Sequence, residues 1–132
     1  MRRMRRVLIV DDSRAIRTLL VQSLQENGYT AVEAESAEDA LDIALRDPPD
    51  AMVIDYFLPD RSGADLTRAF RAFANEKLGS VPIIGLSGSR GTEQPLLDAG
   101  ASCFIAKPFH EAQLLEALTR ALDVSAPRRA VP

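Results

Sequence analysis

The chain has 132 residues, of which 46% are hydrophobic and 27% charged, and its formal net charge is −3. That size and balance describe one compact globular domain and leave no room for a second domain with its own core. No apolar run reaches the ~20 residues needed to cross a bilayer, and the negative net charge argues against a nucleic-acid surface spread over the whole domain.

The opening Met1-Arg2-Arg3-Met4-Arg5-Arg6 has the basic character of a signal-peptide start. The apolar stretch behind it ends at Asp11 and Asp12 within a few residues, so residues 1–5 read as a solvated basic extension. The first strand is expected over residues 7–10. Ile16, Leu19, Leu20, Ser23 and Leu24 then repeat at helical spacing, with Ser13 as N-cap and Gly28 just past the end, which predicts a helix over 14–27. A second apolar run covers 30–34. Ser36 with Asp39 makes a start resembling a capping box for a helix through Ala40, Leu41, Ala44 and Leu45, stopped by Pro48 and Pro49.

A third strand is expected over 51–54 and a helix over 63–75, burying Leu66, Ala69, Phe70 and Phe73. The fourth strand reads as 81–86. Gly88, Gly91 and Pro95 interrupt the helix that should follow, so only 92–99 remains, with Thr92 as cap and Pro95 tolerated in the first turn. A fifth strand over 103–106 precedes a helix over 111–122 with Leu114, Leu115, Leu118 and Leu122 on one face. Residues 124–132, with Arg128, Arg129, Pro127 and Pro132, read as a flexible tail. Cys103, the single cysteine, excludes an internal disulfide and suits a reducing cytoplasm, the expected location.

Five alternations of short β-branched runs with helical stretches predict a parallel sheet with helices on both faces. In such sheets ligands bind beyond the carboxyl ends of the strands. Asp11 and Asp12 stand at the end of the first run, Asp55 at the third, Ser87 at the fourth and Lys107 at the fifth. Three carboxylates in one crevice repel one another and need a cation to stay ionised together. Hard oxygen ligands without a nearby His or Cys favour Mg²⁺ or Mn²⁺ over zinc. Taken singly, such acids cap helices or face water, and a Lys-Pro pair is a turn; the hydroxyl and the lysine at matching strand ends turn them into a candidate site.

Four pieces carry a resemblance: Val7-Leu8-Ile9-Val10-Asp11-Asp12-Ser13; Asp55-Tyr56-Phe57-Leu58-Pro59-Asp60-Arg61-Ser62-Gly63; Ile83-Ile84-Gly85-Leu86-Ser87-Gly88; and Gly100-Ala101 through Lys107-Pro108-Phe109. In that order and spacing the chain resembles the receiver domain of two-component response regulators, in particular the single-domain, chemotaxis-regulator-like kind. The resemblance implies an α/β fold over residues 6–123: a doubly wound, flavodoxin-like sheet of five parallel strands in the order 2-1-3-4-5, with helices on both faces. It implies that Asp55 is the phospho-acceptor, taking its phosphoryl group from a histidine kinase or phosphotransfer protein. Asp11, Asp12, Asp55 and the backbone carbonyl of Phe57 would hold Mg²⁺ or Mn²⁺. Lys107 would contact the phosphoryl oxygens, and its bond to Pro108 is usually cis in the family. Ser87 and Phe104 would be the switch residues, presenting a changed surface to an unidentified output protein. On this reading the chain catalyses only its own phosphorylation and dephosphorylation. It touches neither nucleic acid nor membrane directly, and a homodimer is left open.

Three positions depart from the usual pattern. Phe57 sets a bulky apolar ring at the mouth of the site, Gly88 should loosen the loop after Ser87, and the stretch from Ser87 to Gly100 is short. Two other functions compete: a phosphorylation-independent adaptor, which the retained acids, Ser87 and Lys107 disfavour, and a small Mg-dependent phosphatase. The phosphatase would need a cap and an acid–base residue, and His110 is expected at the start of the last helix.

Overall fold

The computed structural model describes residues 4–125. The arginines at positions 2, 3, 128 and 129, the prolines at 127 and 132, and with them most of both expected tails, lie outside the described residues. The elements run β1 (Arg6–Val10), α1 (Arg14–Glu26), β2 (Thr30–Ala34), α2 (Ala37–Arg46), β3 (Ala51–Asp55), α3 (Gly63–Arg71), α4 (Glu76–Gly79), β4 (Ile83–Ser87), α5 (Glu93–Ala99), β5 (Cys103–Ala106) and α6 (Glu111–Ser125). The five strands are all parallel and lie in the order β2-β1-β3-β4-β5, the doubly wound order expected.

Strand residues alternate between the two faces of the sheet, and the core divides accordingly. Leu8, Val10, Met52, Ile54 and Ile83 pack with Ala40, Leu66, Phe70 and Leu96 from α2, α3 and α5. Val7, Ile9, Val53, Ile84 and Leu86 pack with Leu20, Leu24, Leu114, Leu118 and Leu122 from α1 and α6. The central strands are therefore covered on both sides, which is why their sequences are apolar throughout. No helix among the described residues is long and apolar enough to cross a membrane.

Local chemistry sets the helix starts. The hydroxyls of Ser13 and Ser36 accept from the N–H groups of Ile16 and Asp39, as their spacing predicts. The N–H groups of Ala37 and Glu38 are met from elsewhere: the Asp60 carboxylate, in the β3–α3 loop, accepts from them at 3.0 and 2.9 Å.

Several details at element ends differ from expectation. The helix predicted over 63–75 ends at Arg71, because the Asn75 side chain accepts from the N–H groups of Lys77 and Leu78 and starts the separate one-turn α4. Val81 and Pro82 precede β4, and the Pro82 carbonyl accepts from Met52 N–H. Thr92 does not cap α5 with its side chain; its hydroxyl donates to the Ser89 carbonyl. The backbone of α6 continues to Ser125, past the predicted end. Arg6 also belongs to β1, one residue before the expected start: its guanidinium lies 2.7 Å from the Asp47 carboxylate, and its N–H donates to Asp50.

The turn back from β3 into α3 is tight. Gly63 N–H donates to the Tyr56 carbonyl at 2.6 Å, and a Cβ at Gly63 would overlap the carbonyl oxygen of Asp55. The atoms that a Cβ would meet are backbone and have no rotamer to yield. Gly63→Ala is expected to lower stability by about 1–3 kcal/mol, whereas Gly88→Ala, whose added methyl meets nothing nearer than 3.5 Å, should stay within about 0.5 kcal/mol. Thermal unfolding of the two variants side by side checks this contrast.

Candidate functional site

The carboxyl edge of β1 and β3 carries the acids. Asp11, Asp12 and Asp55 each offer a carboxylate oxygen, and the three atoms lie within 4.8 Å of one another. Asp11 and Asp55 are buried, while Asp12 is exposed. Asp11 is held at every polar atom. Its N–H donates to Ala34, its carbonyl accepts from Arg17 Nη1 at 2.7 Å, Oδ1 accepts from Ser13 N–H at 2.9 Å, and Oδ2 accepts from Lys107 Nζ at 3.1 Å.

Lys107 follows β5 and reaches over this edge. Its N–H donates to the Ser87 carbonyl, its peptide bond to Pro108 is cis, and its ammonium lies 3.2 Å from Asp55 Oδ1 as well as against Asp11. Burial raises the pKa of Asp55, and the charges of Asp11 and then Asp12 push the same way; Lys107 opposes them by charge and hydrogen bond without prevailing. For Lys107 burial works against the charged form. The hydrogen bond and charge of Asp11, followed by those of Asp55, outweigh it, and the pKa is raised. The ammonium is thus secured in its charged state.

Ser87 ends β4, buried, and its hydroxyl accepts from Ser89 N–H at 3.1 Å. Phe104 is half-buried on β5, in register with Gly85 and packed against the core cluster that includes residues of α3 and α5. Phe57 is 54% exposed, with its ring edge-on to Tyr56 at 4.9 Å and its backbone bridged to Ser62. His110 is exposed and its N–H donates to Gln113 Oε1, at the start of α6. The structure therefore gathers Asp11, Asp12, Asp55 and Lys107 at one edge, with Ser87 tied to the Lys107 backbone.

Two residues escaped the sequence reading. Arg17 falls at helical spacing with Leu20 and Leu24, so its place on the buried face of α1 is written in the periodicity. Asp60 gives no such signal, because its partners at the start of α2 are adjacent only in the fold.

The sequence model of the response regulator receiver domain matches residues 7–119. The chain belongs to this family. The response regulator MprA of Mycolicibacterium vanbaalenii is 35% identical over 124 residues, covering 92% of this chain and 52% of its own length. The receiver domain thus spans about half the length of the curated relatives it matches. Among solved structures, the chemotaxis response regulator CheY4 of Vibrio cholerae superposes with a TM-score of 0.82 at 30% identity, over 90% of this chain and 99% of its own. The receiver domain of a sensor histidine kinase from Pseudomonas aeruginosa superposes with a TM-score of 0.83 at 31% identity, over 92% and 99%; that structure has a magnesium ion coordinated in its active-site cleft.

The raised pKa of Asp55 has a sign. An acid whose pKa is higher folded than unfolded destabilises the fold while ionised, and the penalty is relieved as pH falls through the raised value. In metal-free buffer at neutral pH, Asp55→Asn is therefore expected to stabilise this receiver domain by about 1 kcal/mol. The gain should shrink as acidification protonates Asp55 in the wild type. Thermal unfolding with a chelator across that pH range reads both effects.

Proposed function

We propose that Asp55 accepts a phosphoryl group from a phosphohistidine on a histidine kinase or phosphotransfer protein, with a divalent cation held at the acid cluster, and that the domain thereby changes the surface it offers an output protein. The observation that carries this reading is the meeting of three carboxylates within 4.8 Å with a lysine ammonium 3.2 Å from Asp55. The donor set suits Mg²⁺ or Mn²⁺: three hard carboxylates, no sulfur or imidazole among them, and one lysine charge that only partly offsets theirs. Asp11, Asp12, Asp55 and the carbonyl of Phe57 would hold the ion. When bound, it neutralises charge on the phosphoryl oxygens during transfer. The magnesium in the Pseudomonas relative supports the same assignment.

The placement of the side chains supports the following part for the chain's own residues in the reaction. A carboxylate oxygen of Asp55 attacks phosphorus as the P–N bond breaks, and the imidazole leaves and takes up a proton from solvent. Lys107, already charged beside Asp55, donates to a phosphoryl oxygen. The Ser87 hydroxyl turns from Ser89 N–H toward the phosphoryl group, and Phe104 repacks inward in response. Phe104 carries no hydroxyl, so the switched state relies on packing alone. The location consistent with this chemistry is the cytoplasm, on the footing of the single Cys103.

Mass spectrometry after incubation with Mg²⁺ and acetyl phosphate tests the acceptor. The wild type should gain one phosphoryl group and Asp55→Asn none; equal gain by both would overturn the assignment. A second measurement concerns the exposed Phe57 ring, which should hinder the water that hydrolyses the phosphorylated state. Phosphorylated Phe57→Asn, purified away from any kinase, is expected to lose its phosphate several-fold faster than wild type with little change in Tm. A half-life equal to or longer than wild type refutes the shielding.

A further inference from the structure

Arg17 sits on the buried face of α1, one turn after the Ser13 N-cap, and is 9% exposed. A guanidinium in that setting needs partners for its fixed fork of donors. It has two, one on β2 and one just past β1. Nε donates to Glu33 Oε1 on β2 at 3.0 Å, and Nη1 donates to the carbonyl of Asp11, just past β1, at 2.7 Å. That carbonyl belongs to the peptide joining Asp11 to Asp12. Because the peptide unit is planar, fixing the direction of the carbonyl also fixes the N–Cα bond of Asp12 and so where its side chain sets out.

The two acids depend on this very differently. Asp11 has its N–H and both carboxylate oxygens held by other groups. The exposed Asp12 carboxylate has no hydrogen bond or ion pair with another described residue, so its direction comes from its backbone. We propose that Arg17 is a positioning residue for the cation site, aiming Asp12 through the Asp11–Asp12 peptide, and that Glu33 keeps the guanidinium in line. The inference rests on the cation-binding reading given above.

A purely electrostatic role would act in the opposite sense. A buried cation bonded to the Asp11 carbonyl weakens the hold of the neighbouring carboxylates on a divalent ion, so removing its charge should tighten binding. Positioning predicts the reverse, because a residue that orients a ligand is typically worth tenfold or more in metal affinity. Arg and Lys also separate the two accounts: an ammonium keeps the charge and lacks the planar fork that spans Glu33 and the Asp11 carbonyl together.

Calorimetric titration with Mg²⁺ on the full chain decides between them, using wild type, Arg17→Met, Arg17→Lys and Glu33→Gln, each confirmed folded by circular dichroism at the titration temperature. Arg17→Met and Arg17→Lys should both bind Mg²⁺ about tenfold more weakly, and Glu33→Gln more weakly by a smaller factor. Unchanged or tighter binding by Arg17→Met, or wild-type affinity in Arg17→Lys, overturns the positioning role. If the Arg17 variants fail to fold, Glu33→Gln decides alone: it leaves the bond to the Asp11 carbonyl available, and unchanged affinity there sinks the proposal. A wild type that binds no Mg²⁺ overturns the cation reading itself and this inference with it, whereas a wild type that binds beside unaffected Arg17 variants overturns only the inference.

Discussion

Mutual repulsion among Asp11, Asp12 and Asp55 is the constraint around which the molecule is organised. Three negative charges lie within 4.8 Å at the edge of a sheet whose central strands are buried on both faces, and burial of Asp55 strengthens every charge interaction there. Lys107 is the internal counterweight. Its ammonium bridges Asp11 and Asp55, and its charge is held by the same carboxylates it relieves. The cluster persists because the surrounding structure dictates it, the condition under which a protein keeps an unfavourable arrangement at a working site.

That surrounding structure consists of loops wired as firmly as the elements they join. The β3–α3 loop is closed by Gly63 on Tyr56, bridged from Phe57 to Ser62, and moored to α2 by Asp60. Burial pushes the Asp60 carboxyl upward in pKa, but the N–H groups of Ala37 and Glu38 outweigh it and the net shift is downward. The ionised form therefore sits at the positive end of a helix. Across the cluster, Arg17 ties α1 to the β1 turn and to β2.

The opposite end of the molecule is tied by one side chain. Arg71, at the end of α3, donates to the carbonyls of Gly79, Val81 and Gly100, joining α4, the entry to β4 and the end of α5. Burial lowers its pKa, and the carbonyl at the C-terminus of α5 offers partial negative charge in place of a carboxylate. At the N-terminus of α5, Thr92 supplies no side-chain cap; it is buried and donates its hydroxyl to the carbonyl of Ser89, in the exposed stretch from Ser89 to Gly91.

Much of this was legible in the residues themselves. Apolar β-branched runs, helical periodicity and the Ser13 and Ser36 caps are local signals, and they located all five strands and five of the six helices to within a few residues. The acids, Ser87 and Lys107 were legible as site candidates because each stands at a strand end, and parallel strands bring such ends to one edge by topology alone. Other features arise from groups that meet only after folding. Asn75 breaks the predicted 63–75 helix by offering its side chain to the N–H groups of Lys77 and Leu78, a local competition that periodicity alone underweights. Thr92 turns its hydroxyl to Ser89, so a residue of capping type makes no cap. Asp60 reaches the start of α2 across 23 residues of sequence, and Arg17 reaches the Asp11 carbonyl because α1 packs against the sheet. Sequence determined the order of elements and the chemical kinds at each strand end, because those depend on neighbours along the chain; tertiary structure decided which side chains hold them in place, because a hydrogen bond between distant segments exists only once packing has set their distance.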